Sequence, residues 1–205
     1  MDTLLTALCI LGAYFVGGIP SAYVIGRVTR GIDVRIVGTR NVGTANVWRQ
    51  VGRWQGVVVL LADAGKGAGT VGVVRALDLP DWGLFAACVA AVAGHNFSPY
   101  LRLYGGKGVA VVVGVSLALM PLLTAAVGLP VAAAVLVLAR NIVWAFALGA
   151  IAFWAALVVT GETGANIALI TVMALTVGAT AYGRARREWH ETIGSFIRRV
   201  AKKPS

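Results

Sequence analysis

Val109-Ala110-Val111-Val112-Val113-Gly114-Val115 decides the fold class. A membrane-spanning β-strand alternates apolar and polar residues with period two. This run carries no polar residue and alternates nothing, so it reads as part of a helix. The same composition extends outward from it in both directions. Of 205 residues, 59% are hydrophobic and 13% charged, and the mean hydropathy is +0.83. An ordinary soluble domain has no such balance, so lipid is the solvent for most of the chain. Backbone groups in lipid must bond within their own segment, which makes the spans helical. Each crossing takes roughly 20 residues, so this length admits about six to eight.

Punctuation divides the chain into seven apolar segments. The first runs from Leu4 to about Val28 and is broken near its end by Gly17, Gly18 and Pro20. A polar loop, 29–53, leads to a second span from about Gln55 to Ala76. Leu79-Pro80-Asp81 turns the chain into a third, Trp82 to Ala93, which ends close to His95. A second polar loop, 96–107, precedes the fourth, Gly108 to Met120. Pro121 and Pro130 mark the fifth, which ends at Arg140-Asn141; the sixth covers about Val143 to Thr160. After Gly161-Glu162-Thr163-Gly164 the seventh reaches about Tyr182. The expected organisation is therefore an all-α integral membrane protein, with a seven-helix domain over 1–183 and a basic tail over 184–205.

Charge orients it. Of the 18 Lys and Arg, only Lys66, inside a span, and Arg75 lie away from the loops that follow odd-numbered spans and the tail. Asp2, Asp78, Asp81 and Glu162 mark the opposite side. The positive-inside rule then puts the N-terminus outside and the C-terminus in the cytoplasm, as in a multi-pass protein of the inner (plasma) membrane. The net charge of +10 flanks membrane spans, so it marks topology and contact with membrane lipid, and no nucleic-acid partner is expected. No basic region precedes the first apolar run, so a cleaved signal peptide is not expected. Cys9 and Cys88 sit in apolar segments as small packing residues. With two histidines and no Cys/His cluster, neither a metal nor another cofactor is expected.

The polar residues concentrate on the side this charge distribution assigns to the cytoplasm. Gly38 to Arg49, GTRNVGTANVWR, packs Thr, Asn, Gly and Arg between two apolar spans. Lipid anchoring explains its arginines, and also Arg198, Arg199, Lys202 and Lys203, but not Thr39, Asn41, Thr44 and Asn46 interleaved with Gly43. Gly105-Gly106-Lys107-Gly108 directly precedes a span. Its backbone N–H groups would cradle phosphate at a helix N-terminus, with Lys107 adding a full charge. The spacing is not that of a P-loop, which excludes a nucleoside triphosphatase. Asp63 and Lys66 share a helix face. A lone charge there would cost at least about 2.5 kcal/mol, so they pair, either as a structural bridge or with Lys66 at the edge of the site. Gly65, Gly67, Gly69 and Gly72 would let a neighbouring helix pack closely. His95 is a general base or a hydrogen-bonded helix end. No nucleophile elbow and no cysteine near the loops favours a covalent acyl-enzyme.

These elements resemble the bacterial acyl-phosphate:glycerol-3-phosphate acyltransferase family of integral membrane enzymes. Gly18-Ile19-Pro20-Ser21 matches a GSIP-type start, and Gly38 to Arg49 matches a GSGN-x-GATN-x-x-R loop. Asp63, Lys66 and Gly67 match D-x-x-KG, Gly94-His95 matches GH, and GGKG follows ten residues later. The resemblance implies attack of the sn-1 hydroxyl of glycerol 3-phosphate on an acyl phosphate, giving lysophosphatidic acid and phosphate. An acyl phosphate is already activated, so such an enzyme mainly positions two anions and stabilises developing charge. By carry-over, Thr39 stands for the family's functional serine, with His95 and Glu188 as the other catalytic positions. Asn41, Gly43, Asn46, Arg49, Lys66, Gly105, Gly106 and Lys107 would bind phosphate, joined by Arg184 and Arg186 of the third motif.

That third motif departs most. RHR-x-N becomes Arg184-Ala185-Arg186-Arg187-Glu188, so Ala185 and Glu188 replace a histidine and an asparagine. GSGN becomes Gly38-Thr39-Arg40-Asn41, and Arg40 is expected to offset Glu188 as a compensating pair. His190 lies five residues beyond Ala185 and faces another way on a helix, so it is a poor substitute for the missing histidine. The alternatives are a divergent paralogue that keeps a phosphate pocket with altered or lost catalysis, and a transporter. The second half disfavours transport, because its ionisable groups, Arg140 and Glu162, lie near turns.

Overall fold

The computed structural model describes the backbone of residues 2–140 and 142–201, with side chains for 3–140 and 144–186. All regular structure among the described residues is helical. The order is α1 (Asp2–Gly18), α2 (Ser21–Arg30), α3 (Thr44–Gln50), α4 (Arg53–Ala76), α5 (Asp81–Asn96) and α6 (Val109–Leu119), then α7 (Pro121–Leu123), α8 (Leu129–Ala139), α9 (Ile142–Val159) and α10 (Gly164–Ala201). A π-helical turn, Thr124–Gly128, joins α7 to α8. The seven apolar segments are all present as helices. Five are long and apolar enough to cross a membrane: Thr3–Arg30, Arg53–Ala76, Asp81–Leu101, Pro121–Ala139 and Gly164–Arg186. Val109–Leu119 and Trp144–Val159 are apolar but shorter. At about 1.5 Å per residue, α6 falls well short of a hydrocarbon core of roughly 30 Å.

Glycine sets the closest contacts. Gly17 lies against the Ala91 carbonyl and Gly94 against the Tyr14 carbonyl, bringing α1 onto α5. Gly67 against Val111 and Gly114 against Ala64 do the same for α4 and α6. A methyl group at any of the four would overlap backbone, so the helices approach only because no side chain intervenes. The reading of Gly65, Gly69 and Gly72 as packing positions is corrected. Nothing lies within 4 Å of a Cβ built on any of them. Only Gly67 of that series faces a neighbour, because four glycines at these spacings cannot share one face of a helix.

The first span breaks where Gly18-Ile19-Pro20 predicts. Pro20 supplies no N–H and caps α2, leaving the carbonyls at the end of α1 in need of donors. Ser98 Oγ donates to the Gly18 carbonyl at 2.6 Å, and Lys66 Nζ donates to that of Ile19. Residues 29–53, expected as a polar loop, have a core of their own. Val34, Val42, Val47 and Val51 are buried against Ala22, Val59 and Leu101, and Thr44–Gln50 is helical. At the far end, α10 runs without a break through Ala201, so the basic segment continues the last apolar helix.

Candidate active site

The loop of residues 38–49 is tied first to itself. Asn46 is fully buried; its Nδ2 donates to the carbonyls of Val34 (2.9 Å) and Val37 (3.2 Å), and its Oδ1 accepts the Thr39 N–H at 3.0 Å. Gly38 is left-handed (φ +56°) and lies directly over that amide, where a Cβ could not fit. Gly43 starts α3 in extended conformation, and its carbonyl accepts the N–H groups of Asn46 and Val47. Upstream, Asp33 anchors the loop through Arg35 (2.8 Å) and Arg27 (3.0 Å), with both guanidinium groups over the Tyr23 ring. Hydrogen bonds from Arg35 hold the Asp33 carboxyl well below the usual carboxylate range, and the same pairing raises Arg35. Thr39, Arg40 and Arg49 remain exposed on the surface of this frame.

The GGKG turn is folded back on the end of α5. The Gly105 N–H donates to the Asn96 carbonyl at 3.1 Å and the Gly106 N–H to the His95 carbonyl at 2.9 Å. This corrects the expectation that these two amides face a phosphate, because both complete the C-terminal hydrogen bonding of α5 instead. Gly106 also lies directly on the His95 ring, where any side chain would overlap Nε2. His95 is therefore buried under the turn, with Nδ1 3.7 Å from Asp63 Oδ1. Lys66 completes this cluster, 2.6 Å from Asp63 Oδ1. Lys66 is buried and directed at the Ile19 carbonyl, so the geometry gives it a structural task. Lys107 is half-buried, and Gly108, left-handed at φ +85°, starts α6.

The two loops meet at α10. Arg184 donates from Nη1 to Asn41 Oδ1 (2.8 Å) and the Gly105 carbonyl (2.6 Å), and from Nη2 to the Asn96 carbonyl (3.0 Å). Tyr104 stacks under its guanidinium at 5.1 Å and donates its hydroxyl to the Arg40 carbonyl. Asn96 Nδ2 donates to Thr180 Oγ1 at 3.0 Å, one turn before Arg184. Asn96, Tyr104 and Thr180 were not read from the sequence as site residues. A buried asparagine at the end of an apolar helix was the available signal, since such a group needs partners. Beside them opens a cleft of about 350 Å³, lined by Phe97, Leu103, Tyr104, Thr176, Thr180 and Arg184 among others. Arg186 is exposed on α10; the side chain of Glu188, and with it the expected pairing to Arg40, lies outside the described residues.

Polar loops rich in Gly and Arg, set at one end of an apolar helical bundle, define a helical membrane protein whose polar side chains gather at one end. The chain belongs to the glycerol-3-phosphate acyltransferase family, whose model matches residues 7–190. It is 38% identical over 168 residues to a glycerol-3-phosphate acyltransferase of Thermus thermophilus, covering 82% of this chain and 83% of that one. It is 40% identical over 119 residues to glycerol-3-phosphate acyltransferase 2 of Dehalococcoides mccartyi. That match covers 58% of this chain, and the chain thus spans 56% of that relative's length. Among solved structures it resembles PlsY (YgiH), an integral membrane glycerol 3-phosphate acyltransferase, in its glycerol 3-phosphate form. The TM-score is 0.78 at 28% identity, covering 93% of this chain and 92% of that one.

Proposed function

We propose that this protein transfers a fatty acyl group from an acyl phosphate to the sn-1 hydroxyl of glycerol 3-phosphate. The hydroxyl oxygen forms a bond to the acyl carbonyl carbon, the bond from that carbon to the phosphate oxygen breaks, and the hydroxyl proton ends on the released phosphate. Lysophosphatidic acid remains in the membrane. The observation that carries this reading is the meeting of the Gly38–Arg49 loop with the Gly105–Gly108 turn at Arg184, in a chain the family model matches across 7–190.

Within that reading, the groups that hold substrate are those the fold leaves accessible: Thr39 and Arg49 of the first loop, the half-buried Lys107 of the GGKG turn, and Arg186 on α10. The first-turn amides of α6 add the positive end of a helix dipole. Asn46, Lys66 and the Gly105 and Gly106 amides act by shaping the frame. The acyl chain lies against the helices beside the cleft at Phe97 and Leu103. The distribution of Lys and Arg supports seven crossings of the inner membrane, with the N-terminus outside and the site facing the cytoplasm.

Purified protein given acyl phosphate and glycerol 3-phosphate is expected to release phosphate and form lysophosphatidic acid in equal amounts. Ala185 and Glu188, in place of the family's histidine and asparagine, favour one second reading, a paralogue that binds phosphate compounds without this turnover. Retained binding with no product would select it.

A further inference from the structure

Acyl transfer between two anionic substrates requires that the groups holding them keep a fixed spacing, because small misplacements cost large factors in rate. We propose that Arg184 is the positioning residue that fixes this spacing, and that it does not bind phosphate. Carry-over from the family's third motif placed it among the phosphate ligands; its surroundings give it different work. The side chain is buried. Both hydrogens of Nη1 are engaged, one by Asn41 Oδ1 and one by the Gly105 carbonyl, and Nη2 is engaged by the Asn96 carbonyl.

Those three acceptors belong to three separate parts of the chain. Asn41 lies in the loop before α3, Asn96 ends α5, and Gly105 lies two residues before Lys107. The Tyr104 ring closes one face of the guanidinium, and its hydroxyl reaches back to the Arg40 carbonyl. The Asn96 side chain reaches Thr180, so α10 is fastened to the end of α5 at two successive turns. Two loops, 64 residues apart at Asn41 and Gly105, therefore share one planar fork. A guanidinium suits this because its donors lie in a rigid plane and point in several directions at once. A lysine ammonium is a compact charge on a flexible stem and cannot hold the same three acceptors in one plane.

The proposal rests on the acyl-transfer reading only for its kinetic arm. In Arg184→Lys, kcat is expected to fall by about 30-fold or more while KM for glycerol 3-phosphate stays within about threefold, the signature of lost positioning. Asn41→Ala should reproduce part of that loss. The double variant should be little worse than Arg184→Lys alone, because both remove one connection. Hydrogen exchange supplies an arm independent of turnover: amides in 39–43 and 103–108 should exchange at least about tenfold faster in both variants, with the buried helices unchanged. If Arg184→Lys does not fold, Asn41→Ala carries both measurements. A rise in KM of tenfold or more with unchanged kcat and unchanged loop exchange would make Arg184 a phosphate ligand and overturn the proposal. Unchanged exchange in both loops overturns it as well. Wild-type protein that forms no product refutes the acyl-transfer reading, while the exchange measurement still decides the role of Arg184.

Discussion

The half of the molecule formed by α1 to α6 carries the polar loops and a buried ion pair, the part formed by α7 to α9 is more uniformly apolar, and the two are packed differently. In the first, α1 meets α5 and α4 meets α6 with glycine against backbone, and buried polar groups are fastened across helices. In the second, Gly149 likewise lets α9 approach Ala132 and the Gly128 carbonyl, but no buried polar group fastens α8 to α9 among the described residues, and Leu138 and Val159 are each 85% exposed. Apolar side chains gain little from one another in a bilayer, since lipid tails are equally apolar. Tight geometry there has to come from small residues and hydrogen bonds. The candidate site lies at the end of the half that has both, and the other half is left to meet lipid.

The largest test of that contrast is the buried pair. Asp63→Asn leaves Lys66 buried without its partner and should cost about 3–5 kcal/mol. Asp63→Asn with Lys66→Met should recover a good part of it. Unfolding in detergent checks both, and a single variant as stable as wild type would remove the pair from the frame. Next comes packing: Gly94→Ala and Gly114→Ala should each destabilise by about 2 kcal/mol, because the added methyl meets a carbonyl. Gly72→Ala, on an open face of α4, should be neutral or stabilising by up to about 1 kcal/mol. Equal effects at Gly72 and Gly114 would erase the distinction between the open face of α4 and the face on which α6 packs.

A smaller effect is expected in the loop. Asp33 is held ionised far into acid, so the stability it adds is fully present above about pH 4 and is lost only as pH falls through its lowered native value. Asp33→Asn should lose about 1 kcal/mol of loop stability at neutral pH, Arg35 being partly exposed. Its loop protection should then no longer change over the acid range in which the wild type loses its own. Amide exchange across 32–42 as a function of pH measures this. Smallest of all, Leu138→Ala in the second half should change stability by less than about 0.5 kcal/mol, because that side chain faces lipid in the folded protein.

Much of this was legible in the residues. The apolar runs gave seven helical segments near their observed bounds, since a chain in lipid must close its own hydrogen bonds. The break at Gly18-Ile19-Pro20 was legible because proline has no N–H to give. The polar loops were marked by composition, and the spacing of the spans with the distribution of Lys and Arg put them on one side of the membrane; that they meet at Arg184 was not legible. Three further features were not. Thr44–Gln50 is helical because Val47 enters a small core with Val34 and Val51, which local pattern does not reveal. The Gly105 and Gly106 amides looked free for phosphate because the sequence does not say where the C-terminal carbonyls of α5 end up. Asn46 and Arg184 were expected as ligands through the motifs they share with the family; the hydrogen bonds they make in the fold go to backbone and amide oxygens from other parts of the chain.

The sequence by itself determined that this is a helical membrane protein, where its spans break, and which loops hold the polar chemistry. Each of those follows from local composition and from what lipid demands of a backbone. Only the tertiary structure decided which polar groups are left to meet a substrate and which hold the frame. Hydrogen-bonding capacity belongs to a residue, but whether it is already satisfied depends on neighbours that can be more than a hundred positions away, as Asn41 is from Arg184.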